Sequence, residues 1–184
     1  MDLNLEQAYD GPVDLSHRFV VPVERLQLPV LLSLDPVDFK GLLVEEEPGF
    51  ALKATLEIHG EVACSRCLRS VPFGRTAEVS WTFAPSHLRP KGEVEGEEKE
   101  IGLEDLDTVW YDALRFPFEP FVDEELQLEI PMKPLCAEGC RGLCPTCGVD
   151  RNDESASCTC APPEESRWQA LKSLIPPRQE PGDR

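Results

Sequence analysis

The chain has 184 residues, 41% of them hydrophobic and 29% charged, and eighteen are proline. Those proportions describe a folded chain with one real core, and the prolines exclude an all-helical bundle because proline breaks helix interiors. A net charge of −17 excludes nucleic-acid binding through a generally basic surface. Apolar runs such as Val30 to Leu32 fall far short of the ~20 residues that span a bilayer. Met1 to Asn4 carries neither the charged nor the apolar part of a signal peptide, so a cytoplasmic protein without membrane contact is expected.

Over residues 1–50 the apolar pieces are short and cut by Pro12, Pro22, Pro29, Pro36 and Pro48. Phe19–Val21 and Leu42–Val44 read as short strands. Then Leu52, Ala54, Leu56, Ile58 and Val62 alternate with Lys53, Thr55, Glu57, His59 and Glu61. This is the period of two of a half-buried strand. Phe73, Ala77, Val79, Trp81 and Phe83 repeat it, so an antiparallel hairpin is predicted, turning at Cys64-Ser65-Arg66-Cys67. Gly92–Glu100, with Glu93, Glu95, Glu97, Glu98 and Glu100, reads as a solvated acidic loop. Leu103, Leu106, Trp110 and Leu114 have helical spacing and predict a helix from Leu103 to Leu114. A second is predicted over Phe121–Ile130, with Asp123, Glu124 and Glu125 in its first turn and Pro131 ending it. A last helix is expected from Pro162 or Pro163 to Leu174, with a disordered tail over 176–184. The fold class that follows is α+β: an antiparallel β core with a cysteine-tipped hairpin, then a zinc-knuckle C-terminal region and a terminal helix. Residues 1–130 form the β-rich part and 131–175 the cysteine-rich part.

Eight cysteines in a reducing compartment point to metal or redox chemistry rather than disulfides. They are Cys64, Cys67, Cys136, Cys140, Cys144, Cys147, Cys158 and Cys160, four close pairs that suit one or two tetrahedral zinc ions. One partition joins Cys64, Cys67, Cys136 and Cys140, leaving Cys144, Cys147, Cys158 and Cys160. A rival puts Cys136, Cys140, Cys144 and Cys147 around one metal, and the spacings allow both. A redox C-x-x-C and an iron–sulfur cluster are the competing chemistries. Arg66, Arg69, Arg141 and Arg151 lie close to the cysteines in sequence and can offset thiolate charge.

The acid is unevenly spread. Residues 1–130 hold 11 Lys+Arg against 27 Asp+Glu, whereas residues 131–184 hold 7 against 8. Arg66, Arg69 and Arg75 form a basic island at the hairpin turn, a place for a local RNA contact. His17, His59 and His87 are isolated, and no phosphate loop, zinc-protease or nucleophile-elbow motif occurs. Enzyme function has no positive support. Trp81, Trp110 and Trp168 sit on apolar stripes and read as core.

Cys64-Ser65-Arg66-Cys67-Leu68 after a strand, Leu128 to Cys136, and Cys140-Arg141-Gly142-Leu143-Cys144-Pro145-Thr146-Cys147-Gly148 together resemble the bacterial YceD family. Arg167 to Leu174 is similar to that family's C-terminal helix, although Glu165-Ser166 stand where its members often have Asp-Pro. The resemblance covers about Ala51 to Leu174. It implies a non-enzymatic accessory factor for the accumulation and processing of large-subunit ribosomal RNA. With a charge of −17, the implied partner is the large-subunit precursor, reached through a basic ribosomal protein or assembly factor. The reading from a different class is a thiol redox or zinc-handling protein.

Overall fold

A computed structural model describes residues 1–89, 108–156 and 158–160. In chain order its strands are β1 (Asp2–Asn4), β2 (Val13–Phe19), β3 (Leu31–Leu34), β4 (Val37–Glu46), β5 (Gly49–Ala63), β6 (Ser70–Pro85), β7 (Thr108–Tyr111) and β8 (Arg115–Pro117). Among the described residues two α-helices accompany them, the single turn α1 (Val23–Leu26) and α2 (Glu119–Glu129), together with 3-10 turns at Leu5–Asp10 and Ser86–Leu88.

The alternation read between Leu52 and Phe83 produces the two longest strands. β5 and β6 pair from Phe50↔Phe83 to Ala63↔Ser70, so the cysteine turn lies at the end of a long hairpin. One edge of β5 is shared, with β4 along Gly49–Glu57 and β3 along Gly60–Val62. The six-stranded sheet runs β2-β4-β5-β6-β7, with β3 beside β5. All its pairs are antiparallel except β6–β7. The expected antiparallel core is therefore corrected to a mixed sheet, and the α+β class holds. β1 and β8 form a separate two-stranded ribbon.

One sheet face is covered and apolar. Phe39, Leu52, Leu56 and Trp81 meet Phe118, Val122, Leu126 and Ile130, which come from α2 and its flanks. The Phe118 ring lies 5.1 Å from Trp81 and 5.7 Å from Phe39, both edge-on. Leu126 is fully buried, and burying such a side chain stabilises by roughly 1.5–3 kcal/mol. The opposite face carries charged neighbours on adjacent strands, Arg18–Asp38 at 3.3 Å and Lys40–Glu57 at 3.8 Å. Such exposed pairs contribute little each.

Other expectations meet mixed outcomes. Leu42–Val44 lies in β4, whereas Phe19 ends β2 and Val20-Val21 lie outside it. Pro120 sits in the first turn of α2, where its missing N–H costs nothing. The helix predicted over Leu103–Leu114 is corrected in its described part. Thr108–Tyr111 is a strand parallel to β6, and Asp112–Leu114 are bends. Thr108, Val109, Trp110 and Tyr111 are β-branched or aromatic, and pairing with β6 decides over a coincidental spacing. Leu103, the acidic loop, the C-terminal helix with Trp168, and the tail lie outside the described residues.

Candidate metal centres

Two short turns carry half of the cysteines. In the first, the N–H of Cys64 donates to the Arg69 carbonyl at 2.8 Å, and the N–H of Leu68 donates to the Cys64 carbonyl at 2.9 Å. The second repeats the pattern: Cys144 N–H to Val149 carbonyl at 2.8 Å, Gly148 N–H to Cys144 carbonyl at 2.8 Å. In both, the residue after the second cysteine has left-handed backbone, Leu68 at φ 61° and Gly148 at φ 74°. This bend turns backbone N–H groups toward the sulfurs and sets two thiols side by side.

The remaining cysteines close on these turns. Cys64, Cys67, Cys136 and Cys140 have sulfurs all within 4.8 Å of one another, and so do Cys144, Cys147, Cys158 and Cys160. The structure thus groups the cysteines by the first of the two partitions, and the rival set of Cys136, Cys140, Cys144 and Cys147 is not assembled. In the first cluster Cys64–Cys140 is 3.8 Å and Cys67–Cys136 is 3.5 Å. In the second, Cys147–Cys158 is 3.6 Å and Cys144–Cys158 is 3.3 Å. Four sulfurs bound at ~2.3 Å to one tetrahedral ion stand about 3.8 Å apart, so both clusters are near the size such an ion needs. All eight cysteines are free thiols.

The clusters differ in burial. Cys64, Cys67 and Cys140 are buried, with Val71 and Leu143 packed on them, and Cys136 is exposed. In the second, Cys144 is buried, Cys147 exposed, and Cys158 and Cys160 half-buried. Backbone N–H groups of Cys67 and Arg66 lower the Cys64 thiol to about 6. Those of Cys147 and Thr146 lower Cys144 to about 5. The last thiols to ionise go the other way. Cys136, hydrogen-bonded to Cys67 and Cys140, is pushed up to about 12, and Cys160, beside Cys147 and Cys158, also to about 12. Four thiols so close resist full ionisation unless a cation joins them.

The surrounding donors complete the geometry. Arg69 hydrogen-bonds Cys67, which holds its guanidinium above the ordinary arginine range, and pairs with Asp150 at 3.4 Å. Arg151 reaches the Cys144 sulfur at 3.6 Å. Arg66 donates to the Cys140 carbonyl at 2.7 Å rather than to a sulfur. Arg141 contributes its backbone N–H, which donates to Asn152 Oδ1 at 2.7 Å. Arg75 lies apart, paired with Glu129 at 2.8 Å. Sequence reading missed Asn152, whose amide donates to the Cys140 sulfur at 3.4 Å, because an asparagine twelve residues beyond a cysteine carries no motif. His59 is exposed, as its strand face predicted, and Trp81 is buried.

A mixed sheet backed by one helix and extended into two four-cysteine clusters defines an α+β protein with tetrathiol sites. The chain belongs to the YceD family: the family described as "Large ribosomal RNA subunit accumulation protein YceD" matches residues 52–175. It is 29% identical over 165 residues to the maize (Zea mays) protein "Large ribosomal RNA subunit accumulation protein YCED homolog 1, chloroplastic". That match covers 80% of this chain and 54% of the maize protein, so the chain spans about half the length of this relative. No solved structure matches it. Among the described residues, no helix is long and apolar enough to cross a membrane.

Proposed function

We propose that this chain is a non-enzymatic, cytoplasmic accessory factor for the accumulation and processing of large-subunit ribosomal RNA, and that it holds two structural zinc ions. The observation that carries the reading is that the stretch defining the family, residues 52–175, encloses both sulfur clusters. Cys64, Cys67, Cys136 and Cys140 would hold one ion, and Cys144, Cys147, Cys158 and Cys160 the other. With four sulfurs on each ion no position is left for water or substrate, which is the arrangement of structural rather than catalytic zinc. Zinc here supplies cross-linking and charge compensation, and the chain's own N–H, arginine and asparagine donors orient the thiolates. A multi-iron cluster would hold cysteine sulfurs farther apart, around its own sulfides. The thiol redox alternative is disfavoured because the thiols of lowest pKa, Cys64 and Cys144, are buried, and reactive cysteines are accessible.

The partner we assign is a basic protein of the precursor particle, facing the acid of residues 1–130. Arg66, Arg69 and Arg75, the candidates for a direct RNA contact, already bond the Cys140 carbonyl, Cys67 with Asp150, and Glu129. Phosphate contact would have to displace those bonds. Co-sedimentation with large-subunit precursors tests the assignment. Binding is expected, weakening from low to high salt because exposed charge is screened over ~8 Å at physiological ionic strength. Changing Glu93, Glu95, Glu97 and Glu98 to Gln should weaken it further. Absence of the unaltered protein from precursor fractions overturns the reading. Loss of binding in Arg75→Gln with the glutamate variant unaffected would assign the contact to RNA instead.

A further inference from the structure

We propose that the two sulfur clusters are thermodynamically coupled through the turn Asp150-Arg151-Asn152, so that metal in either raises the affinity of the other. The inference rests on the zinc reading above and goes beyond it, because two structural sites on one chain need not communicate.

Among the described residues the clusters meet through a small set of contacts. Cys140 belongs to the first and Cys144 to the second, with only Arg141, Gly142 and Leu143 between them. The turn at 150–152 lies between Cys147 and Cys158, so an ion in the second cluster fixes both of its ends. Asp150 Oδ1 then takes the Asn152 amide at 2.7 Å and aims it at the Cys140 sulfur, 3.4 Å away. Asp150 Oδ2 pairs at 3.4 Å with Arg69, the residue bonded to Cys67. Asn152, which the turn supplies, and Arg69, which it steadies, therefore serve thiolates of the first cluster.

The link also runs in reverse. Arg66 of the hairpin tip donates to the Cys140 carbonyl at 2.7 Å and accepts the Leu143 N–H at 3.0 Å. An ion in the first cluster thus fixes the strip from Cys140 to Cys144. That strip presents the Gly142 carbonyl to the Arg151 N–H at 2.9 Å, and the Arg151 side chain reaches the Cys144 sulfur. The strip has no slack: Gly142 has φ 70°, and a Cβ there would stand 2.8 Å from the Arg66 carbonyl oxygen. Each ion therefore orders donors the other uses, and the ordering cost falls on whichever ion binds first. Coupling of this kind is reciprocal by thermodynamic necessity.

The test uses the full chain and cobalt(II), whose sulfur charge-transfer absorption reports thiolate binding, in competition with a chelator. Cys67→Ser/Cys136→Ser leaves the second cluster alone, and Cys147→Ser/Cys160→Ser leaves the first. The sheet core contains no cysteine, and protection of β5 amides from hydrogen exchange checks that each variant is folded. The two-metal constant of the unaltered protein should exceed the product of the two single-cluster constants by about 10–100-fold, the usual effect of second-shell partners. Asn152→Ala, which keeps all eight thiols, should bring that ratio down and shift the cobalt absorption of the first cluster. A ratio of one overturns the coupling and leaves the zinc reading standing. A raised ratio unchanged by Asn152→Ala overturns the route through the turn. Failure of the unaltered protein to take up cobalt or zinc removes both proposals.

Discussion

The two cysteine turns share a backbone and differ in almost everything around it. Each has the same pair of hydrogen bonds and the same left-handed residue after the second cysteine. The turn at Cys64–Cys67 is the end of a long hairpin and finds its partners 69 residues on, from Cys67 to Cys136. The turn at Cys144–Cys147 finds its partner 11 residues on, from Cys147 to Cys158. The first is a tertiary clasp and the second a local one. The same sulfur chemistry can thus hold a fold together at two ranges, and the range sets what its loss costs.

Removing metal from both should have the largest effect. Apparent binding free energies of structural zinc are about 10–16 kcal/mol per site at neutral pH, much of it folding free energy. Chelation is expected to expose amides of residues 136–156 to hydrogen exchange while β5 and β6 stay protected, since the sheet core is a separate apolar cluster. Collapse of protection throughout β5 would show that the clusters hold up the sheet as well.

Breaking one clasp at a time sharpens the comparison. Cys64→Ser and Cys147→Ser should each lose one ion by native mass spectrometry. Closing a loop of 69 residues rather than 11 removes ~1.6 kcal/mol more unfolded-state entropy, by the logarithmic length rule. Cys64→Ser should therefore cost more in denaturant unfolding, by that amount plus the burial of its sulfur. Equal losses would mean the denatured chain already holds the hairpin tip near residues 136–140.

The smallest effects come from the left-handed position. A non-glycine residue there costs about 1–2 kcal/mol, so Gly148→Ala should weaken the second cluster by roughly this amount. Leu68→Gly goes the other way, relieving strain at a side chain that is 65% exposed. Because glycine also frees the unfolded chain by about 0.5–1 kcal/mol, the net gain should be small, and thermal unfolding should show a slight rise or no change. A clear loss of stability in Leu68→Gly would mean that its side chain makes a contact in the folded state.

Legibility from sequence followed the same division of range. The β5–β6 hairpin, the eight cysteines and α2 were readable because their signals are local: a period of two, close spacing, acid at a helix start and proline at its end. The ribbon of β1 and β8 was not, since three-residue strands carry no period. The parallel placement of β7 was not either, and its four residues fell inside the helical spacing of Leu103, Leu106, Trp110 and Leu114. Both sets of partners for the cysteines fitted the spacing, and only the arrival of Cys136 beside Cys67 separates them. The donor Asn152 and the Asp150 carboxylate that orients it act through a fold that brings distant turns together, which no local pattern encodes.

The separation of Cys67 from Cys136 also has a meaning in time. A ribosome adds about 5–20 residues per second, so the 69 residues between them take roughly 3–14 s to appear. For that interval the hairpin turn is a two-thiol claw on a nascent chain, able to hold an ion only weakly and open to solvent. The local cluster, by contrast, is complete roughly 1–3 s after its first cysteine emerges, since Cys160 follows Cys144 by 16 residues. Last-made partners therefore close the first-made turn, and the hairpin is sealed only when the C-terminal region arrives.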